Sequence, residues 1–233
     1  MPALGSHLKK LLYAFVCNPC FSGYDKSMNK FSLIISFISV FSIESFAQNK
    51  PIIANNGFTL TSPNLQENGT ILMKHVFDGF GCTGDNISPE LNWVNPPEGT
   101  KSFALTVYDP DAPTGSGWWH WTVFNIPANI RSLRAGEKFT PIKTKGGIVS
   151  FGAVGEGRTD FGKPGYGGPC PPEGDKPHRY IFTIYALKES KLLLNRDSSG
   201  AMVGYTLNAN QLGKASITAL FGRTAKPTTA PKK

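Results

Sequence analysis

From about residue 48 onward, apolar and polar positions alternate with the two-residue period of β-strands more often than with a helical period. The run KSFALTVYD, 101–109, sets Phe103, Leu105 and Val107 against Ala104, Thr106 and Tyr108. Residues 119–125 form a second strand-like run. RYIFTIYAL, 179–187, is the clearest, and both of its faces are largely apolar. That predicts a central place in a sheet or between layers. Shorter candidates lie at 58–60 and 148–151. Asn95-Pro96-Pro97-Glu98-Gly99, the 115–117 turn and a long glycine-rich passage separate these runs. Helix is expected late, capped by Thr206 or Asn208 and running to about Leu220. Its apolar positions are Ala209, Leu212, Ile217 and Leu220, with Gly213 inside and Gly222 as terminator. The pattern predicts a mainly β chain: an antiparallel β-sandwich with a few peripheral helices, including one near the C-terminus.

The first 47 residues change the picture of the mature chain. Met28-Asn29-Lys30 precedes FSLIISFISVFSIESFA, an apolar run ending in Ser45-Phe46-Ala47. A short positive start, an apolar stretch and a small-residue exit read as a secretory signal. Five serines and Glu44 make that run a poor permanent membrane helix. We therefore expect an upstream extension at 1–27, a signal peptide at 28–47, one domain at 48–223 and a flexible Pro/Thr-rich tail at 224–233. With that leader go four lysines and two acids, so the net charge falls from +8 to +6. No dense Lys/Arg block remains, which argues against a nucleic-acid partner. Cys17 and Cys20 form a CxxC in the extension and receive no role. An oxidising compartment permits a bridge between Cys82 and Cys170, but sequence does not show whether their Cα atoms come within reach.

Candidate chemistry collects in two stretches. DPDAPTGSGWWHW, 109–121, holds Asp109 and Asp111 in a proline-stiffened loop and His120 among tryptophans. Strict alternation puts Trp119 and Trp121 opposite His120, which then shares a face with Thr122 and Phe124. A carboxylate beside it would raise its pKa and make it a donor to an anion. Read blandly, the acids cap their own turn and the histidine is a satisfied core residue. GYGGPCPPEGDKPHRY, 165–180, supplies glycines for close backbone approach, a proline wall, and His178 and Tyr180 on one strand face. An ordinary Gly/Pro loop is its bland reading.

Together, DPDAP, WHW, GGPCPP and HRY, with CTGDNISPELNW at 82–93, resemble the phosphatidylethanolamine-binding protein family, in its bacterial Raf-kinase-inhibitor-like branch. The resemblance spans roughly 58–223. It implies a β-sandwich core and a small pocket for phosphate, phosphorylated head groups or acetate. By motif position it implies Asp109 and Asp111 as the pocket's acids, His120 as its strand histidine, and Pro171 and Pro172 as its wall. His178 and Tyr180 match its second histidine and tyrosine, and Gly168 a backbone position lining it. The 114–118 loop is short, so kinase contacts made by longer loops are not carried over.

On this reading Asp111 accepts from His120, and Tyr180 and backbone N–H groups complete the shell. The expectation is an exported, non-catalytic binding domain without cofactor or metal. A homodimer is left open and no protein partner is named. Three rivals stand beside it. They are a hydrolase using an Asp–His pair, a metal site built from the Asp and His residues, and a protein-interaction inhibitor. The hydrolase lacks a G-x-S-x-G, and Cys170 lacks an evident activating partner.

Overall fold

In the computed structural model of the protein, residues 57–139, 142–144, 147–149 and 154–225 are described. The predicted extension, the signal peptide, residues 150–151 of one strand candidate and residues 226–233 of the tail lie outside them. In chain order the elements are β1 (Thr59–Thr61), β2 (Asp78–Gly79), β3 (Cys82–Thr83), β4 (Leu91–Val94), β5 (Ser102–Asp109) and β6 (Trp118–Pro127). There follow β7 (Ser132–Leu133), β8 (Ile142–Thr144), β9 (Gly147–Val149), β10 (Gly155–Glu156), β11 (His178–Leu187), α1 (Gly200–Asn210) and β12 (Gln211–Phe221).

The backbone of the fold is a five-stranded antiparallel sheet in the order β10-β6-β5-β11-β12. The two apolar runs, β5 and β11, are neighbours at its centre, which is why both of their faces are buried. On one face Phe103, Leu105, Val107, Trp121, Phe182 and Ile184 meet Leu60, Trp93 and Leu133 of the smaller sheet β1-β4-β7. On the other, Ala104, Phe124 and Leu187 pack with Val203 and Leu207 of α1. The term sandwich fits approximately, since one layer is a three-stranded sheet and the opposite cover is a single α-helix.

The late helix differs from expectation. It begins at Gly200, where the Ser199 Oγ accepts the Met202 N–H at 3.3 Å, and ends at Asn210. Residues 211–221 are strand, with Ala215, Ile217, Ala219 and Phe221 buried on alternate positions. The alanines and leucines of that segment imitate a helical stripe, yet the period that governs burial is two. The real helix contains Gly200 and Gly204, which weaken helix propensity. Their need is steric: a Cβ on Gly200 would sit 2.2 Å from the Trp119 indole.

β6 departs from strict alternation as well. Val107 pairs with Trp121 and Tyr108 with Trp119, so His120 is an extra residue without a ladder partner. Trp121 and Val123 lie in the main core and Phe124 in the helix-side cluster, while the bulge sends Trp119 to the helix side, against Gly200. His120 therefore does not share a face with Phe124. It faces the end of β11, with its ring 5.1 Å from that of Tyr180.

Phe182 is 0% exposed at the middle of the central strand. Phe182→Ala should lower unfolding stability by about 3–5 kcal/mol, read from the denaturant midpoint.

Candidate functional site

Antiparallel pairing of β5 with β11 brings the end of one strand to the start of the other. Asp109 closes β5 and His178 opens β11, so the DPDAP loop and the HRY segment meet although 69 residues separate them. The Asp109 carboxylate is 2% exposed and turned inward. Its Oδ1 accepts the N–H groups of Asp111 and Ala112 at 2.8 and 3.1 Å, closing the turn. Its Oδ2 accepts the His178 Nδ1–H at 2.8 Å. The carboxylate thus has two tasks: one oxygen organises the loop and the other holds a histidine. His178 turns Nε2 toward the Asp175 carboxylate at 3.5 Å.

His120 is clamped from another direction. The bulge frees its backbone carbonyl, which accepts the Gly167 N–H at 3.0 Å, and its Nδ1 lies 2.7 Å from the Gly167 carbonyl oxygen. That oxygen can only accept, so Nδ1 carries a proton and Nε2 is the acceptor of a neutral ring. Burial pushes the imidazole pKa down to about 4, against smaller upward pulls from the Gly167 carbonyl and the Asp109 charge. The expected upward shift is therefore overturned: Asp109 is near, but desolvation dominates. Nor does Asp111 accept from His120. Its carboxylate takes a two-pronged bond from Arg179, Nε to Oδ2 at 2.9 Å and Nη2 to Oδ1 at 2.7 Å, plus the Arg179 N–H. Hydrogen bonding to that guanidinium holds the Asp111 carboxyl down at about 2. Strand alternation sends Arg179 to the face opposite His178, and Asp111 goes with it.

A cavity of 160 Å³ opens where these parts converge. Asp109, His120, Pro171, Pro172, His178 and Tyr180 line it. The structure brings together six of the eight residues singled out in the sequence. Asp111 lies outside the lining and latches the loop to β11. Gly168 is also absent from it. Its N–H donates to Asn86 Oδ1 at 2.7 Å, and a Cβ there would meet the His75 carbonyl oxygen at 2.1 Å. Gly168 therefore serves close packing beneath the wall, and its backbone also approaches the His120 ring. Tyr180 is buried with its hydroxyl near Asp109, and burial, then that charge, push its pKa up.

Several contributors were not singled out. Phe80, Trp118 and Phe161 form an apolar rim, Phe161 lying 6.0 Å from Phe80 and 5.4 Å from Trp118. Phe80 is 70% exposed and sits at φ 54, a left-handed conformation unusual for an aromatic residue. Its setting between two glycines, Gly79-Phe80-Gly81, was the available sequence signal. The proline wall is fixed twice. Cys82 and Cys170 form a disulfide. Arg223 donates to the carbonyls of Pro171 and Gly81 at 3.2 and 3.1 Å and pairs with Glu173. With its sulfur bonded, Cys170 has no thiolate to offer as a nucleophile. Among the described residues no group of three His, Cys, Asp or Glu is placed to hold a metal ion, and no helix is long and apolar enough to cross a membrane.

A five-stranded sheet covered by a smaller sheet and a helix, with a small cavity at one end of its central strands, is the fold of one recognised class of protein. The sequence profile described as phosphatidylethanolamine-binding protein matches residues 61–222, and the chain belongs to that family. Among its relatives are two Escherichia coli proteins of the UPF0098 group. YbcL is 54% identical over 166 residues, covering 70% of this chain and 87% of YbcL; YbhB is 48% identical over 162 residues, covering 70% and 98%. The crystal structure of E. coli YbcL, described as a new member of the mammalian PEBP family, superposes with a TM-score of 0.64 at 51% identity. The match covers 71% of this chain and 98% of the crystallised YbcL chain. A putative phosphatidylethanolamine-binding protein homologue from Chlamydia trachomatis superposes with a TM-score of 0.59 at 27% identity, covering 72% and 99%.

Burial of a neutral His120 links stability to pH. The unfolded imidazole titrates near 6.5 and the folded one near 4, so the unfolded chain binds more protons between these values. Its contribution is complete above pH 6.5 and is lost as the pH falls toward 4, by about 3 kcal/mol. Denaturant unfolding across this range should show His120→Gln losing less stability on acidification than the wild type, by about that amount.

Proposed function

We propose that this protein is an exported, non-catalytic binding protein for a small oxyanion, either inorganic phosphate or the phosphorylated head group of a larger molecule. The observation that carries this reading is the convergence on one 160 Å³ cavity of Asp109, His120, Pro171, Pro172, His178 and Tyr180 from separate stretches of chain. Its volume suits a head group and falls below the roughly 300 Å³ of pockets for drug-sized ligands. The proline wall, the doubly clamped His120 and the saturated Asp109 give it a fixed shape, which lowers the ordering cost of binding. Membership of a family described by phosphatidylethanolamine binding supports the ligand class. The Phe80, Trp118 and Phe161 rim gives the non-phosphorylated part of a larger ligand an apolar surface to rest on.

Two features support export. The disulfide between Cys82 and Cys170 suits an oxidising compartment. The 31–47 segment has the composition of a secretory signal. Absence of catalysis rests on how the acid–base groups are spent: Asp109 is saturated by its own turn and His178, and Cys170 is bridged.

Calorimetric titration with inorganic phosphate and with phosphoethanolamine tests the reading. Binding should be weak, because few atoms are engaged, and His120→Ala should weaken it by about tenfold or more, the loss of one hydrogen bond to a charged ligand. Equal affinity in His120→Ala would remove His120 from the site.

A further inference from the structure

The lining of this cavity is rich in hydrogen-bond acceptors and short of donors. Pro113, Pro171 and Pro172 have no N–H. The Ala112 N–H is bound to Asp109, and the Thr114 hydroxyl donates to the Gly117 carbonyl at 2.5 Å. His178 spends Nδ1–H on Asp109, the Tyr180 hydroxyl turns to the same carboxylate, and His120 spends Nδ1–H on Gly167. What His120 leaves accessible is the Nε2 lone pair, and behind it stands a buried carboxylate. A fully ionised oxyanion entering this space would set its lone pairs against two further acceptors. Apart from the Trp118 indole N–H at the rim, the side chains of the lining offer no uncommitted donor.

We propose that the site captures its oxyanion together with one proton, held between a ligand oxygen and His120 Nε2, so that the bound phosphomonoester is the monoprotonated species or its ion pair with imidazolium. The inference rests on the anion-site reading above and says which protonation state that site selects. The groups facing His120 agree with it. Asp109 at the end of β5 and Asp160 in the segment beside β6 carry negative charge toward the ring, which favours an added proton. Tyr180 and His178 come from β11, with Tyr180 edge-on at 5.1 Å. Burial keeps that proton off the ring while the site holds no anion, and a negative ligand reverses the balance. Protons balance simply. A phosphomonoester loses its second proton near pH 6. Well above that pH the dianion binds with uptake of one proton from solvent, released again on dissociation. Well below it the monoanion brings its own proton and none is exchanged.

The experiment is calorimetry of the oxidised protein with phosphoethanolamine, run at each pH in two buffers of different ionisation enthalpy. Proton uptake should rise from near zero at about pH 5 to about one at about pH 8, and affinity should fall about tenfold per pH unit above about pH 6. His120→Gln offers an amide N–H in place of the Nε2 lone pair. It should bind the dianion with little proton uptake and a flattened pH slope. Binding without proton uptake at about pH 8 in the wild type overturns this inference and leaves the anion site standing. Undiminished uptake in His120→Gln overturns the assignment to His120. No binding of phosphoethanolamine or inorganic phosphate at any of these pH values overturns both the inference and the anion-site reading. Should His120→Gln fail to fold, the wild-type proton count decides alone.

Discussion

The carboxylate of Asp109 is the joint on which the site depends. Burying an ionised group costs several kcal/mol unless its lone pairs are used. Here two backbone N–H groups take one oxygen and the His178 imidazole takes the other. The first pair of bonds fixes the turn after β5. The last bond ties that turn to the start of β11. Without it the DPDAP loop and the HRY strand would be joined only by the sheet and by the outer Asp111–Arg179 pair, and the cavity floor would lose its inner tie. Other fastenings act further out. Asp111 and Arg179 hold the loop on the solvent side, where an exposed pair contributes little to stability but sets direction. Arg223 and the disulfide hold the proline wall.

A second constraint is a local irregularity in β6. An unbroken ladder would leave His120 and Trp121 on opposite faces. The bulge spares one residue from pairing, so Trp121 fills the core while His120 aims at the cavity. The carbonyl that the bulge releases from the ladder is recovered by Gly167, and the same glycine fixes the ring tautomer. Backbone bookkeeping and site chemistry are thus met by one contact. The result is a neutral, rigid acceptor in a place where a neighbouring carboxylate led to the expectation of a cationic donor.

How much of this is legible in the amino-acid sequence follows from which signals are local. The β5 and β11 runs could be read because alternation and apolar content act within a few residues, and β11 is apolar on both faces. The family could be read because DPDAP, GGPCPP and HRY are specific strings. The helix was misplaced because β12 is rich in alanine and leucine, whereas α1 contains glycines whose purpose, room for Trp119, lies in another strand. Period-two reasoning has no means of seeing the bulge at His120. The partner of Asp111 was missed because the guanidinium that claims it belongs to β11. Gly168 was read as lining from its motif position, whereas its N–H is committed to Asn86, 82 residues away. In each case the missing fact was a contact with another stretch of the chain.

The central claim is that Asp109 and His178 act as one unit. A double-mutant cycle in unfolding free energy, built from Asp109→Asn, His178→Gln and the double variant, tests it most directly. The account predicts a coupling energy of at least about 1 kcal/mol between the two changes. Strictly additive effects would contradict it, because the two side chains would then contribute independently and the loop and strand would be joined by something else.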